Sequence, residues 1–274
     1  MRTRSLAVLG ALSMLLLATG STGTRAQQPA PTPAPSHAER PPDPPPKNLQ
    51  VLPKDWTRRE VIDRVMKSWT AALGVRCQHC HVGEEGKPFS EWDFASDANP
   101  EKQRAREMYR MLEEINRRLA AMPEMHGAAA GPATCYTCHR GVTQPKTIES
   151  VFEETRARSG LAAAIAKYRE LRTQNLTRGA YDFGAMPLVR LARARLAAED
   201  PPGAGEVLAL AVELGHDTLA TRTSLAEVAL AQGDRAGALA HLEKALAHAG
   251  NASEREFVEG EIRKARGETE APQP

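Results

Sequence analysis

Apolar and polar positions divide the chain into segments of different period. A basic start, Met1-Arg2-Thr3-Arg4, precedes an apolar run from Leu6 to Ala18. The run is short for a membrane span and is followed by small, polar residues, the pattern of an export signal. Residues 1–26 are therefore expected to be a signal peptide, with Thr24-Arg25-Ala26 at the cleavage point. A retained N-terminal anchor is the alternative. Residues 27–47 have no apolar period. Pro29, Pro31, Pro33, Pro35, Pro41, Pro42 and Pro44 to Pro46 predict an extended polyproline linker.

Helical periodicity begins after Thr57, which forms a capping-box pattern with Glu60. Ile62, Val65, Met66, Trp69, Ala72 and Leu73 recur at helical spacing and predict one buried face over 58–73. Gly74 is a suitable stop. Residues 82–98 read as a loop. A second helix is expected from Asn99, a cap, and Pro100, in the first turn, to about Ala121. Its apolar stripe is Met108, Leu112, Ile115, Leu119 and Met122, with Met111 beside it. Further on, Gly160 to about Gln174 has a helical pattern through Ala163, Ala164, Tyr168 and Leu171. Leu191, Ala192, Ala204, Leu208 and Ala211 then recur 34 residues later as Leu225, Ala226, Ala238, Leu242 and Ala245. That period resembles tetratricopeptide repeats, with small residues where paired helices touch. A generic alanine-rich bundle is the plainer alternative.

Composition changes this picture at one point. A net charge of +2 gives no reason to expect a nucleic-acid partner. Aromatic residues make up only 4% of the chain, thin for an ordinary core, so the first half needs apolar surface from elsewhere.

The cysteines supply a reason. All four fall in Cys77-Gln78-His79-Cys80-His81 and Cys135-Tyr136-Thr137-Cys138-His139. Each string is C-x-x-C-H, the pattern that attaches a c-type haem. One tight helical turn presents both sulfurs to one edge of the porphyrin, and the next residue projects under the iron. Cys77 and Cys80 would thus hold a first haem with His81 on its metal, and Cys135 and Cys138 a second with His139. A four-cysteine zinc site or a redox dithiol would also use C-x-x-C, but neither calls for a histidine after both pairs. Two covalently bound haem c groups are expected. No cysteine remains for a disulfide or a lipid anchor. Export suits this chemistry, because such haems are attached outside the cytoplasmic membrane.

The sixth ligands are less constrained. Met66 lies eleven residues before Cys77, about 12 Å of helix before Gly74. A haem lying along this helix would place Met66 opposite His81, although a helical methionine also serves as core filler. For the second haem the candidates are Met111, Met108 and His126, with Met125 nearby. His79 is a variable position within its motif and is expected to face solvent.

From Asn48 to about Lys146 the chain resembles the cytochrome subunit of the photosynthetic reaction centre. The strings that carry the likeness are Leu73-Gly74-Val75-Arg76-Cys77 through His81-Val82-Gly83, Arg110-Met111 with Ile115-Asn116, and Cys135 through His139-Arg140-Gly141. In that family each haem unit is a helix, a turn and C-x-x-C-H, and most helices donate a methionine. The resemblance implies Met66 as a ligand of the first haem and makes Met111 the aligned candidate for the second. Familiar members carry four haems, and their last haem takes a histidine from a half that this chain lacks.

The expected fold is all-α, with a multihaem cytochrome c domain at 48–148, a tetratricopeptide-like α-solenoid at 149–267 and a disordered tail at 268–274. The expected function is an exported, periplasmic electron carrier between redox partner proteins, among them a membrane electron-transfer complex or reaction centre. The repeats would dock a protein. The competing readings are a peroxidase-like haem oxidoreductase with one open iron, and a repeat scaffold with structural or sensory haems.

Overall fold

The computed structural model describes residues 45–124 and 131–268. The signal-peptide assignment, most of the linker and the ligand candidates Met125 and His126 lie outside those residues. Among the described residues the only β pairing is an isolated bridge between Val82 and Asp93, and the rest of the regular structure is helical.

Helix α1 comprises Arg58–Glu60, a π-helical stretch Val61–Met66 and Lys67–Leu73. Thr57 and Glu60 cap it reciprocally: the Thr57 amide donates to Glu60 Oε2 at 2.9 Å and the Glu60 amide to Thr57 Oγ1 at 3.3 Å. The Lys67 amide reaches back five residues to the Ile62 carbonyl. A π turn holds more residues than an α turn, so it rotates the buried face. Val61 and Val65 are buried, whereas Ile62 is 39% exposed. The predicted face is corrected there: Val61 takes the place of Ile62, while Ala72 is buried as expected.

Helix α2, Pro100–Ala120, starts on its Asn99 cap. Among the described residues it packs extensively, backbone to backbone, against no other helix. Side chains hold it instead. Asn99 Nδ2 donates to the His79 carbonyl at 3.0 Å, at the first cysteine motif. Asn116 exchanges two bonds with Ala133, accepting from its amide at 2.7 Å and donating to its carbonyl at 3.0 Å, two residues before the second motif. The two asparagines are separated by roughly 26 Å of helix, so α2 acts as a spacer between the motifs. The Trp69 and Tyr109 rings, 5.4 Å apart, link it to α1.

Helix α3, Cys135–His139, is the second motif itself and packs on the C-terminal part of α1. The contact is made by backbone. Gly74 turns left-handed at φ 68°, and the Gly141 amide donates to the Ala72 carbonyl at 2.7 Å. A Cβ on Gly74 would stand 2.1 Å from the Gly141 carbonyl oxygen, so glycine is needed for both the turn and the approach.

Seven helices follow: α4 (Ile148–Ser159), α5 (Leu161–Asn175), α6 (Ala185–Ala197), α7 (Pro201–Glu213), α8 (Leu219–Ala231), α9 (Arg235–Ala247) and α10 (Ala252–Arg266). The hydrophobic pattern did not single out α4, yet Ile148 and Phe152 are each 1% exposed in its core. Helices α8 and α9 repeat α6 and α7 at an offset of 34 residues with equal lengths. The intervening turns match too: Glu199 and Gly233 are left-handed, and Asp200 and Asp234 cap the Gly203 and Gly237 amides. Ala192, Ala204, Leu208, Ala211, Ala226, Ala238, Leu242 and Ala245 are all buried. Among the described residues no helix is long and apolar enough to cross a membrane.

Gly74→Ala should destabilise the N-terminal half by more than the roughly 1–2 kcal/mol that a left-handed alanine costs, because the Gly141 carbonyl must also move. Chemical denaturation of the two proteins measures this, and equal midpoints would refute the contact.

Candidate functional site

The two motifs fold locally in different ways. In the first, Cys77–His79 forms a 3₁₀ turn, and the Cys80 and His81 amides both bond the Cys77 carbonyl, at 3.2 and 3.0 Å. In the second, Thr134 and Thr137 cap an α-helical turn, and Arg140 ends it in the left-handed region. Both conformations put the two cysteines on one short turn, with the histidine directly after.

The thiols are unpaired. Burial pushes the Cys80 thiol pKa up, and Glu101 and Cys77 add to the effect. Burial also raises that of Cys135. Among the described residues no three His, Cys, Asp or Glu side chains gather as metal ligands, so the two C-x-x-C pairs do not converge on a zinc site.

The histidines are held by different means. His139 is buried, and its Nδ1 lies 3.0 Å from the Val142 carbonyl. A carbonyl only accepts, so Nδ1 carries the proton and Nε2 keeps its lone pair for a metal. His81 rests on Phe94, ring centroids 5.0 Å apart, and its Nδ1 is buried without a hydrogen-bond partner. Burial lowers its pKa, Lys102 and more weakly Arg106 lower it further, and the Phe94 backbone opposes them. His81 is thus a neutral imidazole at pH 7. His79 does not simply face solvent: it is partly buried, with Nε2 3.8 Å from Glu101.

Apolar side chains flank both motifs. Phe89, Trp92 and Phe94 form an aromatic cluster beyond His81, and Phe89 and Trp92 line an open groove of about 580 Å³ together with Cys77. Val82, Phe89, Met108, Met111, Met122 and Tyr136 remain exposed. Met66 is partly buried against the Leu52, Val61 and Val65 cluster. Tyr109 approaches the second motif, where burial, Glu113 and Cys135 raise its pKa. Met108 and Met111, its neighbours on α2, are therefore carried on the helix that the Tyr109 and Asn116 contacts hold at that motif.

Residues 18–205 match the model of the family described as photosynthetic reaction centre cytochrome C subunit. The chain belongs to that family. No curated protein matches it. As a member of the reaction-centre cytochrome family, it is a c-type cytochrome of electron transfer with covalently bound haem, and its partners are redox proteins. The residues present fit such a group: one imidazole has its second nitrogen committed to a carbonyl, the other is buried with an unpaired nitrogen, and both adjoin apolar side chains. Haem bound there supplies a one-electron redox centre.

Sequence reasoning missed the packing around His81. Its signal was Phe89-Ser90-Glu91-Trp92-Asp93-Phe94, three aromatic residues in six within a chain poor in them. It also missed the clamp behind that loop. Asp97 Oδ1 accepts from Asn48 and Arg106, both at 2.9 Å, and Lys102 lies 3.2 Å away. Lys102 Nζ also donates to the carbonyls of Phe94, Ala95 and Ser96 at 2.8–3.0 Å.

Bonds from Arg106 and Asn48 hold the Asp97 carboxyl well below the usual carboxylate range. A lowered folded pKa stabilises the protein above the unfolded value, near 3.9, and that stability is lost as pH falls through the folded one. The stability difference between wild type and Asp97→Asn should be constant above about pH 5 and shrink in acid below about pH 4. Denaturation midpoints across pH 2–7 check this, and parallel curves throughout would exclude it.

Proposed function

We propose that the chain is an exported, periplasmic dihaem cytochrome that passes single electrons between redox proteins. One haem is attached at Cys77 and Cys80 with His81 and Met66 as ligands. The other is attached at Cys135 and Cys138 with His139 and Met111. The bond from His139 Nδ1 to the Val142 carbonyl carries the reading, because it fixes the tautomer that a metal-binding imidazole needs. Met66 is supported by its place on the helix that feeds the Gly74 turn, partly buried three residues before Trp69. Met111 is supported by α2, which Asn116 ties to the second motif.

The helices of 149–267 form the docking part, a tetratricopeptide-like surface for a protein such as a membrane electron-transfer complex or reaction centre. The 34-residue offset between α6–α7 and α8–α9 supports that reading. Tyr136 extends the second motif toward these helices, its hydroxyl donating to the Arg178 carbonyl at 3.2 Å.

The purified protein should contain two haems per chain by alkaline pyridine assay; one would sink the dihaem reading. Met66→Ala should abolish the methionine–iron near-infrared band of one haem and lower its potential. Met111→Ala should do the same to the other. An unchanged spectrum in either variant would remove that methionine from the site.

A further inference from the structure

The two motifs differ in the charge built around them. Two cations reach Phe94, the residue whose ring packs against His81, and a third, Arg106, is near enough to act on His81 itself. The Arg58 guanidinium sits over that ring, 5.7 Å from its centroid. Lys102 Nζ binds the Phe94 carbonyl at 3.0 Å, and its side chain is only 11% exposed. Arg106, on the next turn of α2, is buried at 5% exposure. Their carboxylate partner, Asp97, is far more open to solvent than either cation. Water screens Asp97 more effectively than it screens Lys102 and Arg106.

Glu101 faces His79 and acts on Cys80 from the other side of the motif, and its partner Arg104, 2.5 Å away, is the more exposed of the pair, so Glu101 offsets part of the cationic charge. Arg76 and Glu85 form an exposed pair at 3.3 Å. Near the second motif both signs are present: Glu113 approaches Tyr109 beside Cys135, and the exposed Arg140, directly after His139, donates to the Thr137 carbonyl at 3.4 Å.

We propose that Lys102 and Arg106 raise the reduction potential of the haem held by Cys77, Cys80 and His81. Taking up one electron from a redox protein removes one positive charge from the site. Fixed, poorly hydrated cations beside the metal's imidazole disfavour the more positive state, so they favour the reduced one. The inference rests on haem being bound at that motif. Lys102 acts from the Phe94 carbonyl and Arg106 from its Asp97 and Asn48 contacts, and both are positioning residues.

Spectroelectrochemical titration of the full-length holoprotein tests it. Lys102→Gln and Arg106→Gln should each lower the midpoint of one haem and leave the other in place. Arg106→Lys, which keeps the charge, should leave both midpoints near wild type. Asp97→Asn should shift the same haem upward, the opposite of what loosened packing would do by letting water in. Unchanged midpoints in the glutamine variants would overturn the proposal, as would a fall of equal size in Arg106→Lys or a downward shift in Asp97→Asn. Haem content and the methionine band, read on the same samples, report attachment and ligation separately, so loss of the haem site is distinguishable from a failed charge effect.

Discussion

The Gly141 amide bonded to the Ala72 carbonyl at 2.7 Å is the contact on which the first half depends. It joins the end of α1 to the exit of the second cysteine motif. The same Gly74 turn that permits the approach delivers the chain into the first motif. Entry to one motif and exit from the other therefore share one point, closed by backbone groups that no side chain separates. Helix α2 supplies the second fixed point of each motif, through Asn99 at one end and Asn116 near the other. Two anchors per motif set the placement of short turns that have little core of their own.

The two halves of the chain solve the burial problem differently. From α4 onward, alanines let helices approach closely, and the core closes with protein side chains alone. Before α4, the buried apolar cluster amounts to Leu52, Val61 and Val65 with partly buried neighbours. Side-chain bonds to backbone carbonyls take over there, from Lys102, Asn99 and Asn116. Such bonds fix geometry while leaving apolar faces for a large flat group, which suits a c-type cytochrome.

What was legible in the sequence was local. Thr57 with Glu60, Asn99 with Pro100, and Gly74 announce helix ends because caps and stops act within a few residues. The C-x-x-C-H strings were readable for the same reason. The exchange of Val61 for Ile62 was not readable, because a π turn alters the period that the reading assumes. The Asp97 clamp was hidden by distance along the chain: Asn48, Asp97 and Arg106 meet only once the loop has folded. Helix α4 was hidden by its polar sequence, in which Ile148 and Phe152 are its two buried residues.

The difference between the histidines adds to the difference in charge. An imidazole whose Nδ1–H is bonded to a carbonyl is a stronger donor to a metal than one without that bond. His139 has such a partner at 3.0 Å, while His81 has only the weaker approach of the Phe94 backbone, whose carbonyl Lys102 already occupies. Haem held by His139 would then have its oxidised state favoured and its potential lowered. With haem at both motifs, as proposed, hydrogen bonding at His139 and the cations behind His81 would act on the difference between them in one direction. Neither feature follows from the C-x-x-C-H pattern, which is the same at both sites. The difference comes from what lies one and two turns away: Val142 for one motif, and Phe94 with Lys102 and Arg106 for the other.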